Sequence, residues 1–364
     1  MTKKSDFVLV PYMKSDDWRA TWQIINTLVP YLTLWCIVPQ AASISLWLLL
    51  PLAILMVLFS LRSFSLMHDC GHYSLFKSKR VNRLMGFALG VINAVPQYAW
   101  SRDHAYHHRT NGDWERYRGI GDFLSTTEFA QLNEFDQKIY GLVRQPLILL
   151  PGGFFYLAIK PRMQLILGIT TFIKDGIGSF WSGKKVSLSA MIASHHSKHW
   201  QTKGEFWDLL LNNVCVLSIW LLMIRFIGFT LFLSLYAVVL AVAGAIFITV
   251  FFVQHNFEGA YAHKTAGWDF VRGAIDGSSY LELPALLRWF TADISYHNIH
   301  HLSERIPNYH LAACHQHNRH LLTDVKVIRI SDMPSCAQYI LWDADRDKLV
   351  PIPLKRQVSS IPRA

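Results

Sequence analysis

Charge is scarce in this chain and, over two long stretches, nearly absent. From Ala20 to Leu61, 42 consecutive positions hold no Asp, Glu, Lys or Arg, and from Leu209 to Phe257 the only charge is Arg225. Across the 364 residues, 16% are charged and 52% hydrophobic, which points away from soluble domains and toward a membrane protein. Each run is about twice the roughly 20 residues that one spanning helix needs. Buried helices of a soluble protein seldom run that far uncharged, so the soluble alternative is set aside.

Other absences narrow the class. The five cysteines, Cys36, Cys70, Cys215, Cys314 and Cys336, form no CxxC pair, and two fall within the apolar runs; a disulfide framework or zinc ribbon is not expected. Met1 to Arg19 lacks an apolar stretch of signal-peptide type, and Asp6, Asp16 and Asp17 argue against an organellar transit peptide, so insertion is expected to use the first span. There is no internal repeat of fixed period, no recognisable catalytic triad and no phosphate loop.

The first run is interrupted by Pro39-Gln40-Ala41-Ala42-Ser43, which suits a tight turn, and the second has Arg225 and Gly228 near its middle. This predicts an all-α membrane protein with four transmembrane helices in two hairpins, about 21–38, 44–66, 207–225 and 230–254. Of 35 Lys and Arg, only Arg225 sits at a hairpin turn, and basic residues accumulate on the cytoplasmic side. Both termini and the segment 67–206 are then cytoplasmic, and a bacterial cytoplasmic membrane is the expected location. The formal charge of +10 fits anionic headgroups or an acidic protein partner, and equally records membrane orientation alone. No nucleic-acid partner is expected. Segments 82–99 and 145–159 are apolar but short and broken by proline, which suits helices or loops at the interface. Residues beyond Pro351 read as poorly ordered.

Seventeen histidines is a high count for so apolar a chain, and their positions carry the argument. His68-Asp69-Cys70-Gly71-His72 follows the second span, and i, i+4 residues share a helix face. His104-Ala105-Tyr106-His107-His108 and His297-Asn298-Ile299-His300-His301 both have i, i+3, i+4 spacing, and His255 ends the fourth span. Hairpins bring the second and fourth spans back to one face, so His68, His72, His104, His107, His108, His255, His297, His300 and His301 can meet in a cytosolic cap. Imidazole alone suits iron, zinc, copper or nickel, but nine rings exceed one ion and fit two. Asp69, Asp103, Asp269 and Asp293 are candidates to hydrogen-bond the rings and offset the charge, or are ordinary solvated residues. Asp293 precedes His297 by four residues and shares its face if that stretch is helical. His195-His196-Ser197-Lys198-His199 has chelating spacing but carries Lys198 among its rings; it reads as a basic interfacial segment.

At these boxes the sequence resembles the membrane fatty acid desaturase family, from about Ser45 to Asn318. HDCGH (68–72), HAYHH (104–108) and HNIHH (297–301) match, as do Thr110-Asn111, Gln254-His255, Trp268-Asp269 and Ile306-Pro307-Asn308-Tyr309. The resemblance implies a di-iron site on the cytosolic face, a four-helix stem and an apolar tunnel for the acyl chain. HxxxH in the first box looks like the acyl-lipid and methyl-end group, and His297 stands where front-end desaturases usually carry Gln. The family's fused-cytochrome motif His-Pro-Gly-Gly is absent; Leu150 precedes Pro151-Gly152-Gly153. The resemblance therefore implies a separate electron donor of ferredoxin, rubredoxin or cytochrome type.

The implied reaction puts a cis double bond into an acyl chain, most simply a lipid-linked one: two hydrogens leave adjacent carbons, dioxygen ends as water, and two further electrons come from the donor. Removing hydrogen from an unactivated methylene needs a strong oxidant, and no protein acid, base or nucleophile beyond the metal centre. The implied organisation is a cytoplasmic segment 1–20, a desaturase domain 21–318 and a cytoplasmic tail 319–364. A hydroxylase or ketolase acting on a lipid or carotenoid is the rival on the same scaffold. A histidine-rich metal transporter would instead line a path within the spans, whereas these boxes lie at or beyond span ends.

Overall fold

The computed structural model of the chain describes residues 2–119, 121–182, 187, 190–191 and 197–353. In chain order, α1 (Asp17–Ile44) and α2 (Leu49–Gly71) are followed by α3 (Lys79–Ile92), α4 (Gln97–Thr110), α5 (Thr126–Gln131), α6 (Glu134–Leu142), α7 (Leu149–Phe154) and α8 (Lys160–Trp181). Next come α9 (Lys203–Ile227) and α10 (Phe229–Val253), then the short α11 (Phe270–Ile275), α12 (Ala285–Phe290), α13 (His297–Leu302) and α14 (Asn308–His317). Among the described residues four helices are long and apolar enough to cross a membrane: α1, α2 with its leading turn from Leu46, α9 and α10.

Asp16 starts α1 by accepting from the backbone N–H groups of Trp18 and Arg19, which would otherwise be unpaired donors. The turn expected at 39–43 is helical instead. Pro39 removes one N–H from a helix that carries on to Ile44, and the break comes where Ser45 turns extended and its Oγ accepts from Trp47 N–H. A proline bends or weakens a helix without having to end it when neighbours pack on both sides. Between α9 and α10 a single residue, Gly228, makes the turn at φ +95°, a conformation that L side chains rarely adopt.

Aromatic rings knit the long helices together. Trp35 of α1 lies 5.6 Å from Phe232 and 6.3 Å from Tyr236 of α10, and Phe64 of α2 packs on Phe247 further along α10. Segment 145–159, expected at the interface, puts α7 against the body of α10. A Cβ on Gly153 would meet Gly244 backbone at 2.8 Å, so only glycine permits that approach. Gly244 is nine residues, roughly 14 Å, before the end of α10.

The chain is mostly helical, as expected, but among the described residues five short strands also form two small sheets. Strand β1 (Leu124–Ser125) lies parallel to β4 (Tyr339–Asp343), which pairs antiparallel with β5 (Lys348–Pro351); β2 (Tyr280–Glu282) pairs parallel with β3 (Val327–Arg329). They draw residues 327–351, expected as tail, onto the rest of the chain. Trp342 stacks on Trp114 at 4.7 Å and its Nε1 donates to Ala262 O at 3.0 Å. Leu281 N–H donates to Ser295 O, which fixes the approach to the third histidine box.

Candidate metal centre

Four elements deliver the histidines. His68 is in the last turn of α2 and His72 is its C-terminal cap; α4 carries His104, His107 and His108; His255 follows the end of α10; α13 carries His297, His300 and His301. The rings form two groups, each with its ligand-type nitrogens within 4.8 Å of one another and each able to hold a metal ion. One comprises His68, His72, His104, His108 and His300, the other His107, His255, His297 and His301. Both HxxHH boxes are divided between the groups, in opposite senses. The i, i+4 pair His104/His108 joins the first and His107 the second, whereas His297/His301 joins the second and His300 the first.

The rings meet through Nε2. Those of His300 and His68 are 3.0 Å apart, as are those of His108 and His104, and His255 Nε2 lies 3.0 Å from that of His107 and 2.9 Å from that of His297. Neighbouring acceptors decide where the protons sit. His255 Nδ1 is 2.9 Å from Gly277 O, which accepts only from N–H, so Nδ1 carries the proton and Nε2 a bare lone pair. His68 Nδ1 at 3.1 Å from Asp69 favours the same tautomer, and His72 Nδ1 lies 3.2 Å from the Glu304 carboxylate. His72 Nε2 is buried without a hydrogen-bond partner among the described residues. Lone pairs converging on a common centre are what a cation requires, so the residues present fit a pair of metal ions. Burial keeps the rings neutral: it pushes His255 down to about 4, and holds His104, His107, His108, His297, His300 and His301 well below the ordinary 6.5, helped by repulsion between neighbouring rings.

The carboxylates fall unevenly. Asp69 is buried, touches His68 and is held by Asn308, whose backbone N–H and Nδ2 donate to its Oδ2 at 2.8 and 2.9 Å. Asp103 is exposed and paired with Arg102 at 2.7 Å, because one residue along a helix turns about 100° from the face of His104. Asp269 caps α11 by accepting from Arg272 N–H. Asp293 does not share a face with His297: Ala292 and Asp293 have φ +47° and +51°, and the helix begins only at His297. Glu304, three residues past His301, was not anticipated; its sequence signal is only an acidic residue beside the third box. His195 and His196 lie outside the described residues, while His199 lines a separate cavity with Trp100 and Arg102.

Apolar rings wall the centre. Trp100 stacks on His104 at 4.8 Å, and Phe251 lies 5.9 Å from His68 and 5.5 Å from His297. A cavity of about 40 Å³ lined by His107, Tyr117 and His255 adjoins the four-histidine group.

Known proteins resemble this chain over most of its length. The profile of the family described as fatty acid desaturase matches residues 45–331. A Bacillus subtilis protein named fatty acid desaturase is 29% identical over 330 residues, covering 90% of this chain and 84% of that protein. A Mortierella isabellina protein named Delta(12) fatty acid desaturase is 22% identical, covering 78% of this chain and 69% of its own length. An Arabidopsis thaliana protein named chloroplastic omega-6 fatty acid desaturase is 24% identical, with 74% of this chain and 53% of its own length matched. A match over most of the chain, on a frame of apolar helices that gathers histidines at one end, makes this protein a member of the fatty acid desaturase family and an oxidoreductase of that kind.

Proposed function

We propose that the nine histidines bind two iron ions, and that the protein introduces a cis double bond into a lipid-linked acyl chain, using dioxygen and two electrons from a separate donor protein. The observation that carries this reading is the division of nine rings into two groups whose Nε2 atoms converge. Five imidazoles would hold one ion and four the other; when bound, the pair would supply the oxidising power that cleaving an unactivated C–H bond demands. The protein's own share is placement. Gly277 O and Asp69 hold His255 and His68 in the tautomer that presents Nε2, and the Glu304 carboxylate lies beside His72 Nδ1. Trp100, Phe64, Phe247 and Phe251 exclude water from the side facing the long helices, which also orients an extended chain.

In the membrane, α1 with α2 and α9 with α10 act as two hairpins, with the histidines and both termini on the cytoplasmic side. The distribution of basic residues supports that orientation. The test of function is expression with a reductase and donor in a host lacking the activity, followed by gas chromatography and mass spectrometry of the lipids. A new cis double bond in membrane acyl chains is expected. Hydroxylated or keto products alone would overturn the reading.

A further inference from the structure

Away from the histidines, a cavity of about 330 Å³ lies between α1, α2, α12 and the start of α14. Three guanidinium groups line it, Arg19, Arg62 and Arg288, against one carboxylate, Asp293. Asp16 also pairs with Arg19, at 3.8 Å with both side chains about half exposed, and such a contact offsets little charge. Arg62 is only 2% exposed although it belongs to an apolar helix. Its Nε donates to Thr27 Oγ1 at 3.1 Å, its Nη1 donates to Trp289 O, and its guanidinium lies 3.8 Å over the Trp289 ring. A fixed arginine at that depth is costly and marks a site more often than a scaffold.

Two atoms in this wall lack a hydrogen-bond partner among the described residues, and they are of opposite kinds: Arg288 Nε is a donor and Asn26 Oδ1 an acceptor. The surroundings say where a ligand would come from. Trp22 and Trp289 line the cavity and are exposed, and it lies where the charged start of α1 gives way to its apolar run. Tryptophan concentrates at that level of a bilayer, beside the headgroups.

We propose that this cavity binds the phosphate-bearing headgroup of a glycerolipid. Arginine forks match phosphate oxygens, while Asn26 Oδ1 and the Asp293 carboxylate accept from the hydroxyl or ammonium that such headgroups carry beyond the phosphate. The site is linked to the metal centre: Asn308 lines the cavity and donates twice to Asp69, which backs His68. The proposal deepens the desaturase reading by naming the lipid class, and binding is read without turnover, so each can fail alone.

The experiment titrates full-length, detergent-purified protein with phosphatidylglycerol, followed by native mass spectrometry, with diacylglycerol of the same chains and inorganic phosphate as separate arms. Phosphatidylglycerol should bind saturably and diacylglycerol at least about tenfold more weakly. Arg19→Gln with Arg288→Gln should raise the dissociation constant about tenfold or more, the scale of one or two lost charge-assisted bonds. If the double variant melts early, Arg19→Gln alone, at an exposed position, should still weaken binding severalfold. Equal affinity in the variants, or diacylglycerol binding as tightly, overturns the site. Inorganic phosphate displacing the lipid at equal concentration would make it a free-phosphate site and overturn the lipid assignment.

Discussion

A proton on the right ring nitrogen decides whether a histidine here can serve a metal, and that proton is placed by single neighbours. Asp69 is the sharpest case, since it touches His68 with one oxygen and is pinned by Asn308 through the other. Asp69→Asn should lower metal affinity on the order of 10–100-fold, as removal of a carboxylate behind a ligating histidine does. Asp103→Asn should leave it unchanged, because Asp103 faces Arg102 and solvent; metal content after dialysis against graded chelator reads both. Alanine at His68, His108 or His301 should abolish turnover and lower bound iron, which metal analysis of each purified variant checks. Acid should also weaken the metal-free protein. Above about pH 6.5 the rings are neutral folded or unfolded and no proton linkage operates. Below it, unfolded imidazoles take up protons that the buried ones refuse, His255 down to about 4. Stability then falls by up to about 1.4 kcal/mol per pH unit for each such ring. Melting temperatures of metal-free protein should therefore drop steeply from pH 7 to 5.5, and a flat profile would contradict the neutral cluster.

Where two helices touch through glycine, one methyl group is enough to test the packing. A Cβ at Gly153 would meet α10 backbone at 2.7–2.8 Å, whereas one at the adjacent Gly152 would meet nothing within 4 Å. Gly153→Ala should cost about 1–3 kcal/mol as helices are forced apart, and Gly152→Ala almost nothing, compared by thermal unfolding in the same detergent. Such a contact is hard to anticipate, since Pro151-Gly152-Gly153 in the sequence reads as a loop or an interfacial segment. The long apolar helices were legible because their uncharged runs outlast any alternative. Their ends were less so: Pro39 suggested a turn, but the break depends on the extended backbone of Ser45 six residues later. Strands of two to five residues carry too few alternations to be seen at all. The boxes were visible as spacings, but their division into groups of five and four depends on how α4 and α13 face one another. Asp293 shows the same limit, because its place on the face of His297 assumed a helix that positive φ values interrupt.

For the whole molecule, helix length and charge together set what the proposed topology must satisfy. Helix α1 has 28 residues, roughly 42 Å, against a hydrocarbon core of about 30 Å. It therefore tilts, or leaves Asp17 and Arg19 among the headgroups, where the arginine cavity lies. With the histidines at the opposite end of α2 from Ser45, the 45–48 and 228 turns must share the far side of the bilayer if α1 with α2 and α9 with α10 each cross and return. Cysteine labelling tests this directly. Native Cys36, exposed, and Cys215, partly exposed, should first be replaced by serine, and the buried Cys70, Cys314 and Cys336 left in place. Single cysteines at Ala42 and Phe229 should then react with an impermeant maleimide added to intact cells. Cysteines at the exposed Thr127 and Lys138, on the segment between α4 and α9, should react only after the membrane is opened. Labelling at Thr127 in intact cells would put the metal centre on the outer face, away from any cytoplasmic electron donor, and would end both the orientation and the partner assignment.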